Sequence, residues 1–112
     1  HFSAGKIYYL QKNYDKAQSF LIRALELNPS EEVKNLLALN YIGQGEFEKA
    51  NTIFESLLEK NPQNTNLLLN SAKCLEKSGD LEKAKSQLKK ALEVFPEFDE
   101  AKDLLETLKI KK

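Results

Sequence analysis

Asn13-Tyr14-Asp15-Lys16-Ala17 recurs as Glu46-Phe47-Glu48-Lys49-Ala50 and again as Asp80-Leu81-Glu82-Lys83-Ala84. The three alanines are 33 and 34 residues apart, and Pro29, Pro62 and Pro96 keep the same step, each 12 residues after its alanine. Two independent markers sharing one period mean an internal repeat, which marks a chain built from stacked supersecondary units.

Within a period the apolar residues fall at helical spacing. Leu68, Ser71, Ala72 and Leu75 are followed by Leu81, Ala84, Leu88, Ala91 and Leu92, with steps of three, four and seven. Between the two stretches sits Ser78-Gly79-Asp80, matched by Gln44-Gly45-Glu46, where Gly suits the left-handed position that ends a helix. Each unit is therefore two helices. Asn28, Asn61 and Phe95 precede the prolines and are biased away from helical backbone, so the second helix of each unit stops there. Ser30, Thr65 and Asp99 are expected to cap the helices that follow. Helices are predicted at about 2–12, 14–27, 31–43, 47–60, 65–78, 81–94 and 98–110, with no strand, because no segment alternates with period two.

The 112 residues are 41% apolar and 30% charged, with three Pro and four Gly, which excludes collagen-like and mostly disordered chains. Seventeen Lys plus Arg balance seventeen Asp plus Glu, and residues 1–56 (6 minus 7) and 57–112 (11 minus 10) balance separately. The single Cys offers neither an internal disulfide nor a metal cluster. No apolar run reaches 18 residues, so no membrane insertion by this segment is expected. With no Met at any position, the sequence reads as a segment of a longer polypeptide, with His1 an artificial leading residue.

The chain resembles the tetratricopeptide repeat family over essentially its whole length. A unit of that family carries a small residue in its first helix, an aromatic or Leu three residues later, an Ala nine beyond, a large apolar residue, a second Ala and a closing Pro. Gly5, Tyr8, Ala17, Leu21, Ala24 and Pro29 match, as do Ala72, Leu75, Ala84, Leu88, Ala91 and Pro96. In Ala38, Tyr41, Ala50, Phe54, Leu57 and Pro62 one position departs: Leu57 stands where a small Ala is usual. The resemblance implies an all-α, right-handed α-solenoid of three helix-turn-helix units, as one domain over 1–112. The repeats fall at 1–30, 31–64 and 65–98, with a capping helix at 99–112.

The small residues have a physical role: helices cross closely where they bear no bulk, so Gly5, Ala38 and Ala72 are expected against Ala17, Ala50 and Ala84. Hairpins of this kind leave an apolar face open, so a terminal cap is needed. Ala101, Leu104, Leu105 and Leu108 form one stripe that suits it, while Lys102, Asp103, Glu106 and Lys109 face elsewhere.

Catalysis has no support, because His1 is the sole His and leaves a Ser/His/Asp or Cys/His arrangement without its base. Cys74 falls where the family has a small residue packed on the preceding unit, and it reads as a semi-buried thiol rather than a nucleophile or redox sensor. No metal or cofactor site is expected. Gly43-Gln44-Gly45 follows a helix and lacks a following Lys, so it is a helix turn and not a phosphate loop. Lys83, Lys85, Lys89, Lys90, Lys109, Lys111 and Lys112 crowd the C-terminal third. Glu82, Glu93 and Glu106 interleave with them, which makes a solvated face rather than a nucleic-acid surface.

The resemblance also implies a concave face lined by the first helix of each unit. In register these positions are Phe2, Ser3, Lys6, Tyr9 and Leu10, then Glu32, Asn35, Leu36, Leu39, Ile42 and Gly43, then Asn66, Leu69, Asn70, Lys73, Glu76 and Lys77. Nine are the expected peptide-binding residues: Tyr9, Asn35, Leu36, Leu39, Ile42, Asn66, Leu69, Asn70 and Lys73. Asn70, and Asn35 or Asn40 near it, can pair with the backbone of an extended peptide, while Tyr9, Leu39, Ile42 and Leu69 supply apolar anchoring. The function implied is a non-catalytic scaffold that holds a protein or peptide partner. The alternative is a structural or self-associating module of a larger, membrane-anchored protein. One subset of the family grips a C-terminal carboxylate with Lys, Asn and Arg, at positions that here read Phe2, Lys6, Leu36, Asn66 and Asn70, so such ligands are not expected.

Overall fold

The computed structural model describes residues 2–110. His1, and the Lys111 and Lys112 of the basic run, lie outside the described residues. Seven helices and no strand occur among the described residues: α1 (Phe2–Leu10), α2 (Tyr14–Leu27), α3 (Glu31–Gly43), α4 (Phe47–Lys60), α5 (Thr65–Ser78), α6 (Leu81–Val94) and α7 (Asp99–Ile110). The chain divides into two compact units, one ending at Ile53 and the other beginning at Phe54, so the division falls within α4.

The helix stops are those that the prolines impose. Asn28 and Phe95 leave the helical region, at φ −151° and −133°, and each donates its N–H to the carbonyl four residues back, Ala24 or Ala91. Caps differ by one residue from expectation in two places. Ser30 caps α3 through the Val33 N–H at 3.2 Å, as read from the sequence, but Asn64 rather than Thr65 caps α5, through the Leu67 N–H at 3.2 Å. Asn accepts this bond at least as well as Thr, and Thr65 becomes the first helical residue. Asp99 is likewise the first residue of α7 rather than its cap.

The first helix of each repeat closes in one way. Asn13, Glu46 and Asp80 donate their N–H groups to the carbonyls of Tyr8, Tyr41 and Leu75, at 2.9, 2.8 and 2.9 Å. The residue before each donor is left-handed: Gly45 at φ 81°, Gly79 at φ 95° and, in the first repeat, Lys12 at φ 62°. Lys12 ends α1 two residues earlier than the sequence suggests. A residue with a Cβ pays a steric cost there that Gly avoids. Lys12→Gly is therefore expected to stabilise the chain by about 0.5–1 kcal/mol, read as a raised midpoint in urea.

In the first unit α2 packs on both α1 and α3. Buried Ala17, Leu21 and Leu37 form its core, with Phe2, Tyr8, Tyr9, Ile22, Leu25, Leu36, Tyr41 and Ile53 against it. A Cβ on Gly5 would lie 2.8 Å from Leu21 Cδ2 and 3.4 Å from the Leu21 backbone nitrogen, so the close helix crossing meets Leu21. In the second unit α6 packs on α5 and α7. Its core joins Leu69, Ala72, Leu75, Ala84, Leu88, Ala101, Leu105 and Leu108, with Leu104 packed against it, so the stripe expected of the capping helix is the one that is buried.

Candidate functional site

The expected groove positions occupy different environments in the two units. On α1 Ser3, Lys6 and Leu10 are exposed, while Phe2 and Tyr9 lie half-buried against the Ala17–Leu21–Leu37 core. Burial pushes the Tyr9 phenol above its ordinary pKa, and Tyr14, whose ring centroid is 6.1 Å away, adds to the shift. On α3 Glu32 is exposed, and Asn35, Leu36, Leu39 and Ile42 are half-buried. Asn35, Leu39 and Ile42 follow steps of four and three and so share one stripe. Tyr9 and Leu36 rest on the same core, which brings α1 and α3 together along one side of this unit.

In the second unit Asn66 is exposed, and Asn70, Lys73 and Glu76 are half-buried along α5. Lys73 Nζ lies 3.4 Å from Glu100 Oε2 of α7. Leu69 is a correction: at 4% exposure it belongs to the core with Ala101 and Leu105 and has no surface left for a ligand. The cause is the packing of α7, whose Ala101, Leu105 and Leu108 share one buried cluster with Leu69, Ala72 and Leu75 of α5.

Asn40 is likewise not a groove residue. It is fully buried, and its Nδ2 donates to the Tyr14 carbonyl at 2.9 Å. One turn on, Gln44 Nε2 reaches Asp15 Oδ1 at 3.0 Å and Gln18 Oε1 at 2.8 Å, so a polar seam joins α3 to α2. Gly43 belongs to the same seam: a Cβ there would run into the Tyr14 ring. No local sequence signal pairs these residues, which are 26 to 29 apart in the chain.

Two family models, both described as Tetratricopeptide repeat, match this chain, one over residues 41–108 and the other over 1–31. The chain belongs to the tetratricopeptide repeat family. Among solved structures, the Sgt2 tetratricopeptide domain from Aspergillus fumigatus is 26% identical, covering 98% of this chain and 75% of that one, with a TM-score of 0.87. The first tetratricopeptide domain of Spaghetti (RPAP3), bound to the HSP90 peptide SRMEEVD, is 21% identical over 96% of this chain and 86% of that one, at a TM-score of 0.86. The Yersinia enterocolitica type III secretion chaperone SycD, in complex with a peptide of the translocator YopD, is 22% identical over 98% and 90%, at 0.83. These likenesses place the fold in the all-α helical-repeat solenoid class.

No group of three or more His, Cys, Asp and Glu side chains among the described residues could hold a metal ion, and no described helix is long and apolar enough to cross a membrane. Cys74 is 1% exposed, and burial pushes its thiol above the usual range. Thiolate is the reactive form, so both access and ionisation protect it. Cys74 is expected to resist iodoacetamide in the folded chain at pH 8 and to react at a free thiol's rate in denaturant; rapid labelling of the native chain, followed by mass spectrometry, contradicts this burial.

Proposed function

We propose that the chain is a non-catalytic protein-interaction scaffold in which the first helix of each repeat supplies the surface that takes a peptide or protein segment. The observation that carries this is the α3 stripe, where Leu39 and Ile42 stand half-buried beside Asn35 and outside the buried core of their unit. Apolar surface next to an amide suits an extended or helical segment, which it can both desolvate and hydrogen-bond. Tyr9 and Leu36 extend this surface in the first unit, and Asn66, Asn70 and Lys73 on α5 are its counterpart in the second. Peptides held by RPAP3 and by SycD on the same fold support the reading. The accompanying domain assignment is a single tetratricopeptide domain with repeats at 1–30, 31–64 and 65–98 and a cap at 99–112.

The test is a peptide selected from a random library on the immobilised chain, with affinity then measured for variants. Leu39→Glu and Asn70→Ala are each expected to weaken it about five-fold or more, with the helical melt nearly unchanged: the first puts a charge on apolar contact surface, and the second leaves a partner's polar group without a buried bond worth roughly 1–3 kcal/mol. Charge reversal of Lys85 and Lys89 on α6 is expected to leave affinity unchanged. The opposite pattern moves the binding surface to the second helices and overturns the assignment.

Ligand class follows from the same positions. Phe2, Lys6, Leu36, Asn66 and Asn70 offer one cation where the carboxylate-gripping subset of the family places several. The peptide SRMEEVD is therefore expected to show no measurable binding in calorimetry. Tight binding that vanishes when its C-terminus is amidated refutes this.

A further inference from the structure

α3 sits on α2 through one arc of its surface: Leu37 in the shared core, Asn40 on the Tyr14 carbonyl and Gln44 on Asp15 and Gln18. Thirty-three residues earlier, the same arc of α1 reads Ala4, Ile7 and Gln11, with Tyr8 at its border. At the middle position Asn40 and Cys74 are 0% and 1% exposed, yet Ile7 is 55% exposed. This arc of α1 thus presents an apolar surface of the kind that a neighbouring helix covers elsewhere in the repeat.

The charges on α1 beside it are of one sign. Residues 2–14 contain Lys6 and Lys12 and no Asp or Glu. Tyr8 stacks on Phe20 of α2 with centroids 5.4 Å apart, Lys16 Nζ lies 5.5 Å above the Tyr8 ring, and exposed Arg23 shares with Ser19 and Phe20 a pocket of about 190 Å³. Of the acids on α2, Asp15 accepts the Gln44 amide on the α3 side, and Glu26 lies a turn beyond Arg23, next to Leu27. The outer edge therefore combines an uncharged arc with flanking cations.

We propose that this edge of the first repeat, centred on Ile7 and flanked by Lys16 and Arg23, docks an acidic amphipathic helix of a partner protein. It is a second interaction surface, separate from the α3 stripe. A helix is the shape that the arc accepts, since α2 covers its equivalent on α3. Carboxylates flanking an apolar stripe match Lys16 and Arg23, and they give encounter and orientation while the stripe buries Ile7.

The probe is a designed helical peptide of about 18 residues, some five turns, with a Leu/Ala stripe flanked by Glu, and a companion with Lys in place of Glu. Fluorescence anisotropy is expected to show binding of the Glu peptide, weakened by added salt, and at least roughly ten-fold weaker binding of the Lys peptide. Ile7→Glu, and separately the double reversal Lys16→Glu with Arg23→Glu, are expected to cost roughly ten-fold or more, while Lys89→Glu on α6 has no effect. Both altered sites are solvent-facing, and a thermal melt matching the parent verifies that each variant folds. Equal affinity for the two peptides, or indifference to both variants, overturns the proposal. So does concentration-dependent sedimentation abolished by Ile7→Glu, which makes a second copy the occupant, or capture by anionic lipid vesicles without binding of the Glu peptide.

Discussion

Leu108→Ala is expected to lower the unfolding free energy by about 2–5 kcal/mol, and removal of residues 99–112 to leave a chain that aggregates or no longer melts cooperatively. Leu108 is fully buried and joins Ala101 and Leu105 in closing the second unit over Leu69, Leu75 and Leu88. Truncation at this site leaves a cavity between packed helices, and loss of α7 turns that core outward as an apolar patch. The polar link between α5 and α7 cannot substitute. Lys73 and Glu100 form a pair at 3.4 Å with side chains 44% and 68% exposed, and such a pair is worth at most about 1 kcal/mol. Burial therefore dominates the attachment of this helix. Urea titration by circular dichroism measures the first expectation and light scattering the second; a truncated chain that stays monomeric and melts with the parent sinks both.

Helix order and type were legible because the apolar spacing and the prolines act locally. α2, α3, α4, α5 and α6 begin and end where the sequence places them. The misplaced boundary and cap arise where local signals compete. At Lys12 the turn demands a left-handed residue although the sequence offers no Gly, so the sequence gives no warning that α1 ends at Leu10. At Asn64 two good capping residues are adjacent, and the backbone selects one.

The candidate site was less legible, for a reason visible in Leu69 and Asn40. Projecting a helix onto faces tells which residues share a stripe, but the width of the buried arc depends on how many neighbours surround the helix. α7 covers Leu69, and the Tyr14 carbonyl takes the amide of Asn40. Both are long-range contacts that no periodicity encodes. Leu39 and Ile42 keep partial exposure in the same register, so tertiary packing decides which residues of a stripe remain on the surface.

The small residue that closes the recurring segment carries the second large expectation. Ala17, Ala50 and Ala84 are all fully buried, and Ala84 lies among Leu69, Ala72, Leu75, Leu88, Ala101, Leu105 and Leu108. Ala84→Leu adds three carbons where neighbouring helices already meet without a gap, and such overpacking costs on the order of 1–3 kcal/mol. Helix propensity cannot account for a loss of that size, since Ala and Leu differ by only about 0.2 kcal/mol in a helix interior. Ser86→Leu, two residues along on the exposed side of α6, supplies the control and is expected to stay within about 0.5 kcal/mol of the parent. Ala50→Leu and Ala17→Leu are expected to follow Ala84→Leu, because all three occupy one position of the repeat. If Ala50→Leu melts with the parent by circular dichroism while Ala84→Leu does not, the second repeat is out of register with the third, and the helix crossing assigned to its alanine is wrong.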